Sequence, residues 1–259
     1  MSEAVRRREA QWGGVLSRAD RLLSIVRQKN DIQAIGFNIQ MAARNALSLG
    51  MLKIRVHDDE VGALECFAAS TKLSKELISH RDEMEAIFFE APIYCCILSG
   101  DLAAASSLCQ AVAHIKPPID FSWFELSSRL LSAFVLDDKV SYEVLMLTSK
   151  AVGMNYRQRI LAQYFEVFGF VLARDQSGFD HSIAKMLARF KERATDKEFG
   201  GELSEYGGLE ENAFVVDFMA VVICVVASVR GLKVEVGKTE FFPQKLYSLI
   251  AEKCSASVA

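Results

Sequence analysis

Glycine and proline are scarce in this sequence. With 15 Gly and 4 Pro among 259 residues, it has too few turn formers for many short strands joined by tight loops. The abundance of Ala, Leu, Glu, Lys, Arg and Met favours helices instead. An excess of one charge is missing too. Thirty Lys plus Arg against 33 Asp plus Glu leave a net charge of −3, so no broad cationic field exists to hold a phosphate backbone. That argues against nucleic acid as a partner. No apolar stretch follows Arg6, Arg7 and Arg8, so the N-terminus does not read as a secretory signal. The one long apolar run, Ala213 to Val229, has 17 residues and contains Asp217. Spanning a bilayer takes about 20 apolar residues, and a central carboxylate costs roughly 2.5–3.5 kcal/mol. The run reads as a very apolar central helix surrounded by other helices, and no membrane partner is expected.

What remains is an ordinary globular composition, 51% hydrophobic and 24% charged, read as one all-α domain over residues 1–259. Six cysteines (Cys66, Cys95, Cys96, Cys109, Cys224, Cys254) sit among apolar residues without regular spacing. They read as buried, reduced thiols of a cytoplasmic protein.

Within the domain, residues 1–30 form a basic segment: Arg6, Arg7, Arg8, Arg18, Arg21, Arg27 and Lys29 against Glu3, Glu9 and Asp20 give net +4. Residues 31–174 read as an array of helical hairpins, and 177–253 as C-terminal helices with an ordered tail. Ile32, Ile35, Ile39, Ala42, Ala46 and Leu49 draw one stripe down a helix that Gly50 is expected to stop. Val61, Leu64, Phe67, Ala68 and Thr71 begin a second helix. Asp82 with Glu85 predicts the start of a third, kinked at Pro92. Gly100-Asp101 predicts a turn and N-cap, Lys116-Pro117-Pro118 a break, and Asp120 the cap of the next helix. Helices run on from Lys139 to Val152 and from Asn155 to Arg174. In the next, Phe179, Ile183, Leu187, Phe190 and Ala194 share a face. Short connections make neighbours antiparallel. The small residues of Glu60 to Ser79 and of Asp101 to Ala113 have a tetratricopeptide-like look, without a strict 34-residue period. The fold expected is an irregular stack of antiparallel helix hairpins.

The sequence offers little chemistry. It has no CxxC and no HExxH, and adjacent Cys95 and Cys96 diverge by about 100° on a helix, so no metal is expected. Gly13-Gly14, Gly200-Gly201 and Gly207-Gly208 lack the strand and lysine of a phosphate cradle, so no nucleotide cofactor is expected. Asp180, His181 and Ser182 are adjacent on a helix and do not face one another. Asp82, Glu83, Glu85 and Glu90 are candidate acid–base groups, though nothing in the sequence marks a buried, shifted pair. Phe88, Phe89, Tyr94, Trp123, Phe124, Tyr164, Phe165 and Phe168 read as core.

The C-terminal third has a distinctive order: Phe179-Asp180-His181-Ser182-Ile183, then Phe190-Lys191-Glu192-Arg193, a polar Gly-containing spacer, the apolar run, Arg230-Gly231-Leu232-Lys233-Val234-Glu235, and Phe241-Phe242-Pro243-Gln244-Lys245-Leu246. Over Phe179 to Leu246 this resembles the immunity protein 49 family of bacterial polymorphic-toxin systems. The resemblance implies a helical cytosolic antidote, not an enzyme, that binds a cognate toxin domain. By its residues alone, the matched segment reads as structure: Gly231 as a left-handed helix end, and Leu232, Val234 and Val236 as an extended strip.

An antidote's specificity is expected on exposed surface. The most acidic stretch runs from Thr195 to Glu211, with Asp196, Glu198, Glu202, Glu205, Glu210 and Glu211 against Lys197, net −5. Tyr206 is its candidate aromatic anchor. Asp58, Asp59 and Glu60, and Asp137 with Asp138, are further acidic candidates at helix connections. Such groups complement the cationic cleft of a toxin. Two other readings stay open. One is a tetratricopeptide-like adaptor with a groove lined by Asn38, Arg44 and Asn45; the other is a helical hydrolase using acids such as Glu83.

Overall fold

The computed structural model describes residues 3–153, 156–195, 217–239 and 241–256. Among them are eleven α-helices, packed as antiparallel pairs, and no strand. They are α1 (Glu3–Gln28), α2 (Ile32–His57), α3 (Glu60–Ser79), α4 (Glu90–Leu98), α5 (Leu102–His114), α6 (Trp123–Val135), α7 (Lys139–Ser149), α8 (Tyr156–Leu172), α9 (Gln176–Thr195), α10 (Phe218–Val229) and α11 (Gln244–Ala256). No helix among the described residues is long and apolar enough to cross a membrane.

One local device builds most of the array. Helices α1, α2, α4, α6 and α8 each end at a residue with positive φ, respectively Asn30, Asp58, Gly100, Asp137 and Arg174, and an aspartate follows every time. The aspartate N–H closes the finished helix five residues back, as from Asp101 to the Cys96 carbonyl (2.9 Å), Asp138 to Ala133 (2.9 Å) and Asp175 to Phe170 (2.9 Å). Its carboxylate meanwhile accepts from the third N–H of the next helix: Ala34 on Asp31, Gly62 on Asp59, Ala104 on Asp101, Ser141 on Asp138, Gly178 on Asp175. One residue thus terminates a helix and caps its successor. From Asp101 to Asp138 to Asp175 the device recurs every 37 residues.

The hairpins stack in two rows. Consecutive first helices α2, α4, α6 and α8 touch one another, as do α3 and α5, while α1 packs on α2. Helix α6 is buried on every residue from Glu125 to Phe134. Its Phe134 stacks on Phe168 of α8 at 3.9 Å between centroids, and Phe165 meets both Phe168 and Trp123. Helix α10, with Ala220 to Ala227 all buried, lies against α4 and α8, and α11 packs on α10. Gly231 takes φ +83, and beyond it Leu232 is buried and Val234 and Val236 half-buried, alternating with exposed residues in extended chain.

Several local expectations are corrected. Gly50 does not stop α2, which continues to His57; the glycine is buried inside the helix. No helix starts at Asp82. Residues Arg81–Glu83 and Ala86–Phe88 form 3₁₀ turns on either side of extended Met84 and Glu85, and Met84, Ala86 and Phe88 alternate into the core. Gln33 and Gln40 donate to the Glu83 and Ile87 carbonyls at 2.7 and 2.8 Å, supplying bonds a helix would have made internally. Pro92 is therefore the third residue of α4, where its missing N–H costs no helical bond and no kink follows. Ser122, not Asp120, caps α6 through the Glu125 N–H (3.2 Å), which buries Trp123 and leaves Phe124 exposed. Helix α7 ends at Ser149, before the expected Val152. Val61 is exposed, and the neighbouring Gly62 and Ala63 are buried in its place. Asp217 is the N-cap of α10 rather than a carboxylate inside it, bonded by the Ala220 N–H (2.9 Å) and the Tyr164 hydroxyl (2.7 Å).

Candidate functional site

The acidic candidates fall into two groups. Asp196, Glu198, Glu202, Glu205, Tyr206, Glu210 and Glu211 lie outside the described residues, as does Ala213 at the start of the apolar run. The others lie in hairpin turns and are engaged there. Asp58 occupies the left-handed end of α2, and Lys245 of α11 reaches both its carboxylate (3.0 Å) and that of Glu60 (3.6 Å). Asp59 caps α3 and lies 3.6 Å from Lys53. Asp138 caps α7, and its carboxylate stays below the usual range because the Ser141 hydroxyl and N–H bond to it.

Asp137 joins three hairpins. Arg174, from the next turn of the array, donates to both its oxygens at 3.0 and 2.6 Å, and Arg230 at the end of α10 lies 3.5 Å away. The Arg174 hydrogen bond lowers the Asp137 pKa. Arg230 also donates to the Phe134 and Val135 carbonyls at the end of α6 and lies over the Phe134 ring at 5.0 Å. Burial brings its pKa down to about 10, opposed by Asp137, so it stays charged at neutral pH while one guanidinium nitrogen has no partner. Lys253 of α11 likewise donates to the Ser99 carbonyl at the end of α4 (2.6 Å). Cations from the C-terminal elements therefore hold the negative helix ends of the array. The turns at Asp58 to Glu60 and at Asp137-Asp138 stay two separate sites, with the Gly100-Asp101 turn between them in the array.

The residues named for an adaptor groove do not converge as a set. Asn38 and Asn45 donate to carbonyls of their own helix, Ala34 (2.7 Å) and Met41 (2.6 Å), and Asn45 is buried, while Arg44 is exposed. The four acidic candidates of the segment before α4 also part company. Asp82, Glu83 and Glu85 are exposed. Glu90 is half-buried at the head of α4, and burial raises its pKa against the opposing effects of the Ser127 hydroxyl and the Arg44 charge. Sequence patterning missed this distinction, because the extended passage through Met84 puts Glu90, and not its neighbours, at the head of α4.

Among the described residues no three His, Cys, Asp or Glu side chains are grouped to hold a metal ion. All six cysteines are unpaired thiols. Burial pushes Cys96 up to about 12, and Cys95, Cys109 and Cys224 higher still, so none is a nucleophile at neutral pH.

No family model, no curated protein and no solved structure matches this chain.

Proposed function

We propose that the chain is a cytosolic immunity protein that binds a cognate antibacterial toxin domain and neutralises it by covering its working surface. The observation that carries this reading is how the acids are distributed. Asp58, Asp59, Glu60, Asp137 and Asp138 are taken up by caps and ion pairs, whereas residues 196–211 hold a net charge of −5 in a chain of −3. On this reading the acidic run, with Tyr206 as its anchor, complements a cationic toxin cleft. The order of residues from Phe179 to Leu246 supports the same family assignment. The decisive experiment coexpresses the protein with the toxin domain encoded beside it, with and without Asn and Gln replacing the six acids of 196–211. Survival with a recovered one-to-one complex, lost on neutralisation, is the expected outcome. Cell death despite soluble expression, with no complex, ends the proposal.

The second reading is a tetratricopeptide-like adaptor. It draws on the 37-residue recurrence of the turn and on the row α2, α4, α6, α8. Against it stands α10, the very apolar helix we read as central, which lies against α4 and α8 where a groove ligand would go.

A further inference from the structure

Helix α7 is apolar on two opposite faces. Its inner face carries buried Tyr142 and Ser149 with half-buried Leu145 and Met146, and the Tyr142 hydroxyl donates to the Phe165 carbonyl of α8 at 3.0 Å. That face fixes the helix on the array. Its outer face carries Val140, 74% exposed, Val144, 58%, and Leu147, 65%. Exposed Ala151 extends the stripe, because the Lys150 and Ala151 N–H groups continue the helical turn onto the Leu147 and Thr148 carbonyls at 3.2 and 3.0 Å. One apolar face is all that a helix at the edge of a bundle needs. The second stands in solvent.

The spacing of the outer residues is specific. Positions 140, 144, 147 and 151 step by four, three and four, which is the seam of a two-stranded coiled coil, where apolar side chains of one helix seat between those of another. The flanks of this seam differ. On one lie Ser141 and Thr148, whose hydroxyls are already bonded to the Asp138 carboxylate (2.6 Å) and the Val144 carbonyl (3.0 Å). On the other lie Glu143 and Lys150, opposite in charge and two turns apart. Glu143 is exposed with Lys139 at 3.9 Å, and Lys150 is exposed and makes no ion pair among the described residues. Two turns are too far for Glu143 and Lys150 of one helix to meet. Antiparallel pairing of two copies, with Val144 opposite Leu147 and Val140 opposite Ala151, brings like flanks together and sets Glu143 of each copy beside Lys150 of the other. Parallel pairing sets Glu143 beside Thr148 and leaves both charges unmatched.

We propose that the outer face of α7 is a self-association surface, on which two copies of this chain pair antiparallel through Val140, Val144, Leu147 and Ala151, held in register by reciprocal Glu143–Lys150 ion pairs. The charges choose the occupant. An apolar seam alone fits any apolar helix, whereas this flank is complementary to its own reverse. A seam about 17 Å long is short beside interfaces that bury roughly 1,200–2,000 Å², so the dimer is weak and forms reversibly as concentration rises. The proposal does not depend on the acidic run at 196–211, and the two make separable predictions.

Sedimentation velocity of the full chain, from micromolar to millimolar concentration, tests it. A reversible monomer–dimer equilibrium is expected. Val144→Glu and Leu147→Glu alter exposed side chains, so helix content and melting temperature should stay near wild type while dimerisation weakens about tenfold or more. Glu143→Lys and Lys150→Glu should each weaken the homodimer by setting like charges side by side, and the double variant should restore it. An equal mixture of the two single variants should form a heterodimer tighter than either homodimer, since every Glu143–Lys150 contact across the antiparallel pair is then between opposite charges. A parallel pair has no such preference. A chain that stays monomeric throughout, a dimer that survives both Val144→Glu and Leu147→Glu, or charge variants that do not rescue one another would each overturn the proposal. So would a monomeric chain whose complex with a toxin domain is lost on Leu147→Glu, which would assign the face to that partner instead.

Discussion

Gly50 lies directly beneath the ring of Phe67: a Cβ at position 50 would come within 2.4 Å of the ring carbons Cε1 and Cζ. The two residues belong to antiparallel partners, α2 and α3, and Phe67 is fully buried and in an edge contact with Phe218 at 5.5 Å. A glycine inside a helix costs about 1 kcal/mol relative to alanine. Here that cost is offset by a phenyl ring seated against bare backbone, where it links the first hairpin to α10.

Gly50→Ala should therefore destabilise the protein even though alanine is the better helix former. Overpacking costs about 1–3 kcal/mol and exceeds the propensity gain of about 1 kcal/mol. Urea unfolding of Gly50→Ala, Phe67→Leu and the double variant checks this. The double variant should lose less than the sum of the two single ones, because the smaller side chain makes room for the methyl group.

The shared turn predicts a repeated cost. Asp101→Ala and Asp138→Ala should each lose about 0.5–2 kcal/mol, the value of a capping side chain. Asn replacements should recover most of it, since Asn caps comparably. Thermal denaturation of the four variants would separate capping from general charge effects.

Arg230 should matter far more than Asp137, although the two are in contact. Arg230→Met removes the side-chain donor to the Phe134 and Val135 carbonyls, leaving Phe134 with the Asp137 N–H (3.3 Å), and also removes the cation over the Phe134 ring; a loss of about 2–4 kcal/mol is expected. Asp137 is nearly half-exposed, 46% for its side chain, so Asp137→Asn should cost little at neutral pH. The folded carboxyl has a lowered pKa. Its contribution is therefore complete above the ordinary aspartate range and fades on acidification, and wild type and Asp137→Asn should converge in stability toward low pH.

Glu90 should show the opposite pH dependence. Its pKa is raised from the ordinary 4.5, so the folded state holds the proton longer than the unfolded chain does. Stability should fall as pH rises from about 4.5 through the folded pKa. Glu90→Gln, neutral throughout, should flatten that fall; denaturant midpoints across this pH range provide the comparison.

Thiol reactivity gives a simple check on the core. Burial raises the pKa of Cys66 too, but this is the one cysteine of the six that is only half-buried. An aromatic disulfide reagent should modify Cys66 slowly in the native protein and leave the other five untouched until denaturant is added.

Much of the fold was readable from periodicity and caps. The stripe from Ile32 to Leu49 and the Gly100-Asp101 turn are local properties, set by side-chain spacing and by the ability of aspartate to accept from a helix N-terminus. Gly50 is the exception. Composition marks a glycine as a stop, and only the ring of Phe67 explains its place inside a helix. Asp82 and Glu85 look like a helix start, yet none forms, because Gln33 and Gln40, about fifty residues away, bond to carbonyls of the segment.

The sequence by itself determined the class of this protein, its helical hairpins and the aspartates that join them, because each of these depends on residues a turn or two apart. Tertiary structure alone decided which acids are consumed by caps and cations and that Glu90 is half-buried while its neighbours Asp82, Glu83 and Glu85 are exposed. Desolvation and ion pairing depend on groups that meet only after the chain has packed.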